Sequence, residues 1–397
     1  MARDLFKKAY WPLVALGASY FVILGLLMVP WIQNNAIYMH RMKVLWRQNL
    51  TKPEEFGFAK NQVTPFFLKT PDGEDIFAWH VLPLGLYKEH RESLVKQKTG
   101  LITNPLESEN IKLLIADPEA RLIIHCVCPF KHSLYSNAGT LGTSCRPTYL
   151  RSLSAGDPSK IHIIALDYRG FGLSSGTPSE QGLITDGITA VKWAVNTLGI
   201  SPSRIAAVGQ SLGTAVAIGT AEKLATHPIS PIELGAVITI AGFSNMKELI
   251  LTYNIFGWLP ILSPLRPYPF LQRFFTKFII DTWESDKRIV SLIKSSKKLN
   301  FIVLHAYNDF DIPWQHSDRL FVTAANATQS GNEQLTWLEI MGLKEKTEFG
   351  EESYQNKWPT DRSNGHSIEQ WVVRWGGHNQ VVASAGTSVI VAKALGL

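Results

Sequence analysis

The chain has 397 residues, of which 45% are hydrophobic and 18% charged. That is too apolar for a disordered protein and long enough for one large α/β domain with additions. The formal net charge is +6, but the basic residues are scattered. Nothing reads as a nucleic-acid partner, and the excess fits mild attraction to anionic membranes instead.

No Asp, Glu, Lys or Arg occurs from Ala9 to Met39. Trp11 to Ile32 is long enough to cross a ~30 Å hydrocarbon core as one helix, at ~1.5 Å per residue. Tyr10, Trp11 and Trp31 sit at its ends, where amphipathic rings prefer the interface. Lys7 and Lys8 precede it and Arg41, Lys43 and Arg47 follow, so charge does not fix the orientation. The alternatives are a cleaved signal peptide and a buried amino-terminal helix. Ala15-x-Gly17 and Gly17-x-Ser19 offer small-residue cleavage sites, but the apolar run continues past them, which argues for retention. The expected organisation is a membrane anchor over 1–40, a polar stem over 41–65 and a folded body over 66–397. The expected location is a membrane, crossed once, in the endoplasmic reticulum. Two sequons, Asn49-Leu50-Thr51 and Asn326-Ala327-Thr328, would carry glycan only in a lumenal setting.

Phe66 to Thr70 and Ile76 to His80 flank Pro71-Asp72-Gly73 and read as an antiparallel hairpin at a sheet edge. Residues 85–120 read as a long surface connection. Arg121 to His125 and Lys160 to Leu166 read as buried strands. Ser179 to Leu198 carries helical spacing, with Ile184, Ile188, Val191 and Val195 on one face. Further buried strands are expected at Arg204 to Val208, Leu234 to Ile240 and Phe301 to His305. Strands apolar on both faces, alternating with helices, imply a mostly parallel sheet covered on two sides. An aromatic- and proline-rich stretch at about 243–300 interrupts this rhythm and reads as a helical cap, its side chains either ordinary packing or an apolar acyl-binding surface. Gly342 to Trp375 is polar and reads as an exposed loop.

Gly209-Gln210-Ser211-Leu212-Gly213 is a G-x-S-x-G pentapeptide between a buried strand and an Ala/Val/Ile-rich helix from Thr214 to His227. Strand, tight turn and helix are the setting in which this motif presents a nucleophilic serine, with the helix amino terminus favouring developing negative charge. A serine hydroxyl needs a base, and the base an orienting acid. In this setting the chain order is Ser, acid, His. Asp309 follows the strand ending near His305, with Asp311 as its rival. His378, in Trp375-Gly376-Gly377-His378-Asn379, precedes a final helix over Val381 to Leu395, with His366 as its rival. His80, His125 and His162 lie in or beside strands and read as core groups. Cys126-x-Cys128 lacks a second ligand pair at zinc spacing, so no metal is expected.

These features together resemble the α/β-hydrolase family, and within it the membrane-anchored lysophospholipase and monoacylglycerol lipase branch of fungal type. The resemblance rests on Asp167 to Gly172, Ser174 to Gly182, Gly209 to Thr214, His305 to Pro313 and Gly376 to Asn379. It covers roughly residues 60–397. It implies an α/β-hydrolase fold with a helical cap, Ser211 as nucleophile, Asp309 as acid and His378 as base. The implied activity is cleavage of a lipid ester through an acyl-enzyme, without cofactor. The alternatives are a catalytically impaired membrane scaffold on the same fold and a protein thioesterase or depalmitoylase.

One segment departs from the family. His125 is not followed by the usual glycine, and residues 126–136 are interposed before Asn137-Ala138-Gly139. Either an error in the gene structure reads untranslated sequence through, or a real insertion displaces the first oxyanion donor. By likeness, the oxyanion hole consists of the Leu212 amide and a donor at Asn137 or Ala138.

Overall fold

The computed structural model describes residues 2–41, 48–127, 139–143, 145–255, 259–329 and 334–397. The apolar amino terminus forms two helices rather than one, α1 (Ala2–Leu26) and α2 (Pro30–Tyr38), bent by 96°. Pro30 causes the break. Its ring disfavours a helical conformation at the preceding residue, and Val29 is extended at φ −76°, ψ 123°. Pro30 then starts the second helix, where its missing N–H costs nothing. Among the described residues no single helix is long and apolar enough to cross a membrane, whereas the bent pair together meets that criterion.

The body begins with β1 (Val63–Lys69) and β2 (Asp75–Val81), paired antiparallel as expected. Residues 85–120 are not a surface connection. They form α3 (Leu84–Glu89), α4 (Arg91–Leu94) and α5 (Glu109–Ala116), and Leu94, Ile111 and Leu114 are fully buried. These helices are short enough that their apolar spacing does not stand out from the polar residues between them. Next come β3 (Arg121–Val127), α6 (Arg146–Ser154), β4 (Ile161–Leu166), α7 (Glu180–Asn196), β5 (Ile205–Gln210), α8 (Leu212–Ala225) and β6 (Ala236–Ile240). Ser179 caps α7, its side chain accepting from the Gly182 amide at 3.1 Å.

The excursion after β6 contains α9 (Met246–Thr252), the short pair β7 (Asn254–Ile255) and β8 (Leu259–Pro260), and α10 (Pro269–Thr276). The chain then returns through α11 (Ser285–Ser295), which packs on α8 as an ordinary layer helix. β9 (Asn300–Ala306), α12 (Gln315–Ala327) and α13 (Trp337–Leu343) follow. The stretch expected as an exposed loop instead supplies β10 (Glu345–Glu348), β11 (Tyr354–Lys357) and β12 (Ser367–Val373). Its polarity is deceptive because buried polar groups satisfy one another: Gln370 donates to Ser317 and Asp318 and accepts from Asn356. α14 (Gly377–Gln380) and α15 (Ala385–Ala394) complete the chain.

The main sheet has ten strands in the order β1-β2-β4-β3-β5-β6-β9-β12-β11-β10. The six central strands, β4 to β12, run parallel, and antiparallel pairs extend both edges. One core lies beneath α7, α8, α11 and α12, and receives Leu122, Ile124, Ala207, Val237 and Phe301. The other lies beneath α6 and α15, and receives Ile123, Val208, Ile238 and Leu304. Alternate residues of each central strand thus enter opposite cores, which is why those strands are apolar throughout.

Candidate active site

Ser211 sits between β5 and α8 at φ 55°, ψ −126°, a conformation rare for a residue with a Cβ. Its neighbours must make room. A Cβ on Gly209 would lie 2.2 Å from the Gly213 carbonyl oxygen. The Ser211 amide donates to Ile240 O at 3.0 Å, and Thr214 Oγ1 donates to Ser211 O at 2.6 Å. Leu212 is the first residue of α8, so its amide is one of the donors that a helix amino terminus leaves without an intrahelical acceptor.

Asp309 lies three residues beyond β9, and His378 lies in α14 just beyond β12. β9 and β12 are parallel neighbours, so both residues emerge at the same end of the sheet as the Ser211 turn. His378 Nδ1 stands 2.9 Å from Asp309 Oδ2. The other Asp309 oxygen, Oδ1, accepts from the Asp311 and Ile312 amides at 2.9 and 3.0 Å. His305 Nε2 lies 3.3 Å from Asp309 Oδ2 and 3.0 Å from Ile312 O. Ser211, Asp309 and His378 are 5%, 5% and 6% exposed, so their interactions operate largely out of water.

The turn around His378 is held from two sides. Gly377 N donates to Asn308 Oδ1 at 2.8 Å, and Gln210 Nε2 donates to His378 O at 2.8 Å. Gly376 and Gly377 have φ of 129° and 49°, which permits this path. Gln210 directly precedes Ser211, so the serine turn and the histidine turn meet through this bond.

Electrostatics set the charge states. Burial works to raise the Asp309 pKa, but the His378 charge and hydrogen bonds from His305 and His378 outweigh it, holding the carboxyl below the usual range. Burial works to lower the His378 pKa, but Asp309, with a further contribution from Asp311, raises it above the ordinary imidazole value. Burial pushes Asp311 up to about 6. A carboxylate aligned with one imidazole nitrogen fixes the tautomer in which the other nitrogen can accept a proton. Asp309, Asp311 and His378 also hold ligand atoms within 4.8 Å of one another, the one such grouping among the described residues. Both Asp309 oxygens already face donors, however, which suits an orienting acid better than a metal ligand.

The rival residues are placed differently. Asp311 lies beside the pair, but the imidazole aligns with Asp309. His366 accepts from the Leu299 amide at 3.1 Å, ahead of β9 and so at the other end of that strand from Asp309. His80 and His162 stack in the core, with His80 Nε2 3.1 Å from His162 Nδ1. His125 is fully buried inside β3, which runs on to Val127. The expected oxyanion residues Asn137 and Ala138, with most of the interposed segment, lie outside the described residues. No local sequence signal marks His305, Asn308 or Gln210 as supports of the site. Gln210 occupies a variable position of the pentapeptide, and nothing local marks its distant acceptor.

An apolar pocket opens beside Ser211 and Leu212, walled by Phe243, Met246, Leu249, Tyr253 and Ile312. α9 and the residues flanking it supply most of that wall.

No family profile matches the chain. It is 26% identical over 305 residues to the lysophosphatidylserine lipase ABHD12 of Danio rerio, a match covering 75% of this chain and 68% of that protein. It is 32% identical over 196 residues to human protein ABHD12B, covering 49% of each. Among solved structures, an alpha-beta hydrolase from Vibrio vulnificus superposes with a TM-score of 0.51 at 15% identity, over 75% of this chain and 82% of that one. The chain has the α/β-hydrolase fold. In this fold the strained serine turn and the Asp309–His378 pair occur together at one end of the parallel strands.

Proposed function

We propose that this α/β-hydrolase is a serine hydrolase that cleaves the carboxylic ester of a membrane lipid, a monoacylglycerol or lysophospholipid. The observation that carries the reading is the 2.9 Å approach of His378 Nδ1 to Asp309 Oδ2, anchored by Gln210 to the strained turn bearing Ser211. Ser211 Oγ attacks the acyl carbonyl while His378 Nε2 takes its proton. Asp309, held ionised, stabilises the imidazolium that forms. The Leu212 amide at the head of α8 donates to the developing oxyanion. His378 then returns the proton to the departing alcohol, leaving an acyl-enzyme. Water, deprotonated by His378, attacks that ester and releases the fatty acid and free Ser211.

The substrate class draws on the lipase named among the relatives and on the apolar wall of the pocket. A lipid that resides in a bilayer also accords with the bent apolar pair α1–α2, which we assign as the membrane anchor of the chain. The excursion between β6 and α11 acts as a cap over the acyl chain.

The test is active-site labelling. A fluorophosphonate probe labels the wild-type chain and fails to label Ser211→Ala, and only the wild type releases fatty acid from lysophospholipid or monoacylglycerol in vesicles. Equal labelling of both chains would place the nucleophile elsewhere.

A further inference from the structure

We infer that the outer face of α10 is a second membrane contact, seated in the interface of an anionic bilayer beside the anchor. This rests on the anchor assignment above and adds to it a defined surface on the cap.

The sequence from Leu249 to Ile280 contains no Asp or Glu, but includes Arg266, Arg273 and Lys277. All three basic residues are exposed. α10 divides its side chains between two faces. Leu271 and Phe275 turn inward, packing with Leu262 and Leu265 and with Tyr20 and Leu24 of α1. Phe270 and Phe274, with Phe278 in the turn that follows, recur at four-residue spacing and point outward, 67%, 46% and 39% exposed. Ile280 and Tyr268 extend the patch, at 56% and 52%. Phenylalanines on one face with basic residues interleaved is the composition of a helix that lies in the headgroup boundary. Basic residues add attraction to anionic lipid.

The patch is continuous with the anchor. The Phe21 ring of α1 lies 6.5 Å from that of Phe275, and Tyr20 Oη donates to Ile261 O at 2.7 Å. At the bend, Gln33 Nε2 donates to Leu27 O and Phe278 O, both at 3.0 Å, and its Oε1 accepts from Ile280 N at 2.8 Å. Tyr38 Oη donates to Asp281 Oδ2 at 2.6 Å. These contacts fix α10 against the two helices, so an inserted α1 brings the outer phenylalanines to the same bilayer. α9, which walls the Ser211 pocket, packs through Ile250 and Leu251 on the same α1–cap cluster. The contact therefore sets the pocket beside the lipid that supplies it.

The test uses the full chain in vesicles of phosphatidylcholine, with or without phosphatidylglycerol. An environment-sensitive fluorescent amino acid is placed at position 274 and, as control, at position 229, an exposed loop site beyond α8. The expected result is quenching of the 274 probe by a lipid-borne nitroxide and not by aqueous iodide, stronger with phosphatidylglycerol, and the reverse at 229. Iodide quenching at 274 overturns the proposal. Protection from both quenchers also overturns it, since that means a protein partner covers the face. A second arm replaces Phe270, Phe274 and Phe278 by Glu together. Turnover of a vesicle-borne long-chain ester is expected to fall about tenfold or more, with turnover of a soluble short-chain ester retained. Unchanged vesicle turnover contradicts the proposal. Loss of soluble-ester turnover in the wild type would instead count against the esterase reading, and the depth measurement stands independently of it.

Discussion

Gln210 Nε2 donates to the carbonyl oxygen of His378 across a sequence separation of 168 residues. The residue beside the proposed nucleophile thereby fixes the backbone of the proposed base. Leu at this position keeps the volume and removes the donor. A displaced imidazole misaligns proton transfer without touching the acyl pocket. Gln210→Leu is expected to lower kcat by about 10- to 100-fold, in line with the cost of small misplacements, with KM and thermal stability little changed. Steady-state kinetics on a soluble ester check this. An unchanged kcat would show that the Asp309 bond alone orients His378.

The charges around His378 set a pH dependence. The proposed base works only when neutral, and its pKa is raised above 6.5. The acid limb of the kcat/KM profile is therefore expected above 6.5. Asp311 is one source of that rise. Asp311→Asn removes a negative charge that favours the imidazolium, so the limb moves to lower pH while activity at its plateau is kept. A limb that stays in place or moves upward would show that Asp311 does not act on His378. Stability follows the same pKa shifts. The stabilisation of protonated His378 is complete below the unfolded-state value and is lost as pH rises through the raised folded value. That of ionised Asp309 is present above 3.8 and is lost as pH falls through its lowered value.

Arg169 ties the sequence motif after β4 to α7. Its Nε and Nη2 donate to Asp186 Oδ1 at 2.9 and 2.7 Å, its amide donates to Asp186 Oδ2 at 2.9 Å, and Nη1 donates to Asp72 at 2.6 Å. The Asp186 side chain is fully buried and that of Asp72 about half exposed. Asp186→Ala leaves a buried guanidinium without its principal partner and is expected to cost about 3–5 kcal/mol. Asp72→Ala, beside solvent, is expected to cost about 1 kcal/mol or less. Urea denaturation of both variants checks the ranking. Equal losses would mean that solvent reaches Arg169 from the α7 side.

The central strands were legible because each is buried on both faces, so an unbroken apolar run such as Ile205 to Val208 has few other readings. The serine turn was legible because Gly209 is required by contact distances, a Cβ there lying 2.2 Å from the Gly213 carbonyl oxygen. What stayed hidden depends on partners distant in sequence. Gln370 in β12 is polar and fully buried, a pattern readable only once Asn356, Ser317 and Asp318 are brought beside it. Leu27 to Val29 carry the same apolar signal as the helices on either side, and Pro30 alone marks the bend. His305 and Asn308 support the site through a fold in which β9 and β12 are adjacent, and residues 300–373 do not show that adjacency locally.

The amino-terminal helices are part of the folded body as well as its proposed anchor, and Tyr38 measures how much. Its ring is fully buried in the core that holds Phe171 and Trp283, and its hydroxyl reaches Asp281. A tether alone would tolerate any substitution there. Tyr38→Ala empties a large core site and is expected to destabilise the chain by about 3–5 kcal/mol, as for other buried aromatics. Tyr38→Phe keeps the ring and removes one hydrogen bond to a carboxylate, for an expected loss of about 1.5–3 kcal/mol. Thermal unfolding in detergent micelles, followed by intrinsic fluorescence, orders the two variants. If Tyr38→Ala unfolds like the wild type, α2 is a detachable linker, and its hold on the cap through Gln33 and Asp281 contributes nothing to the fold.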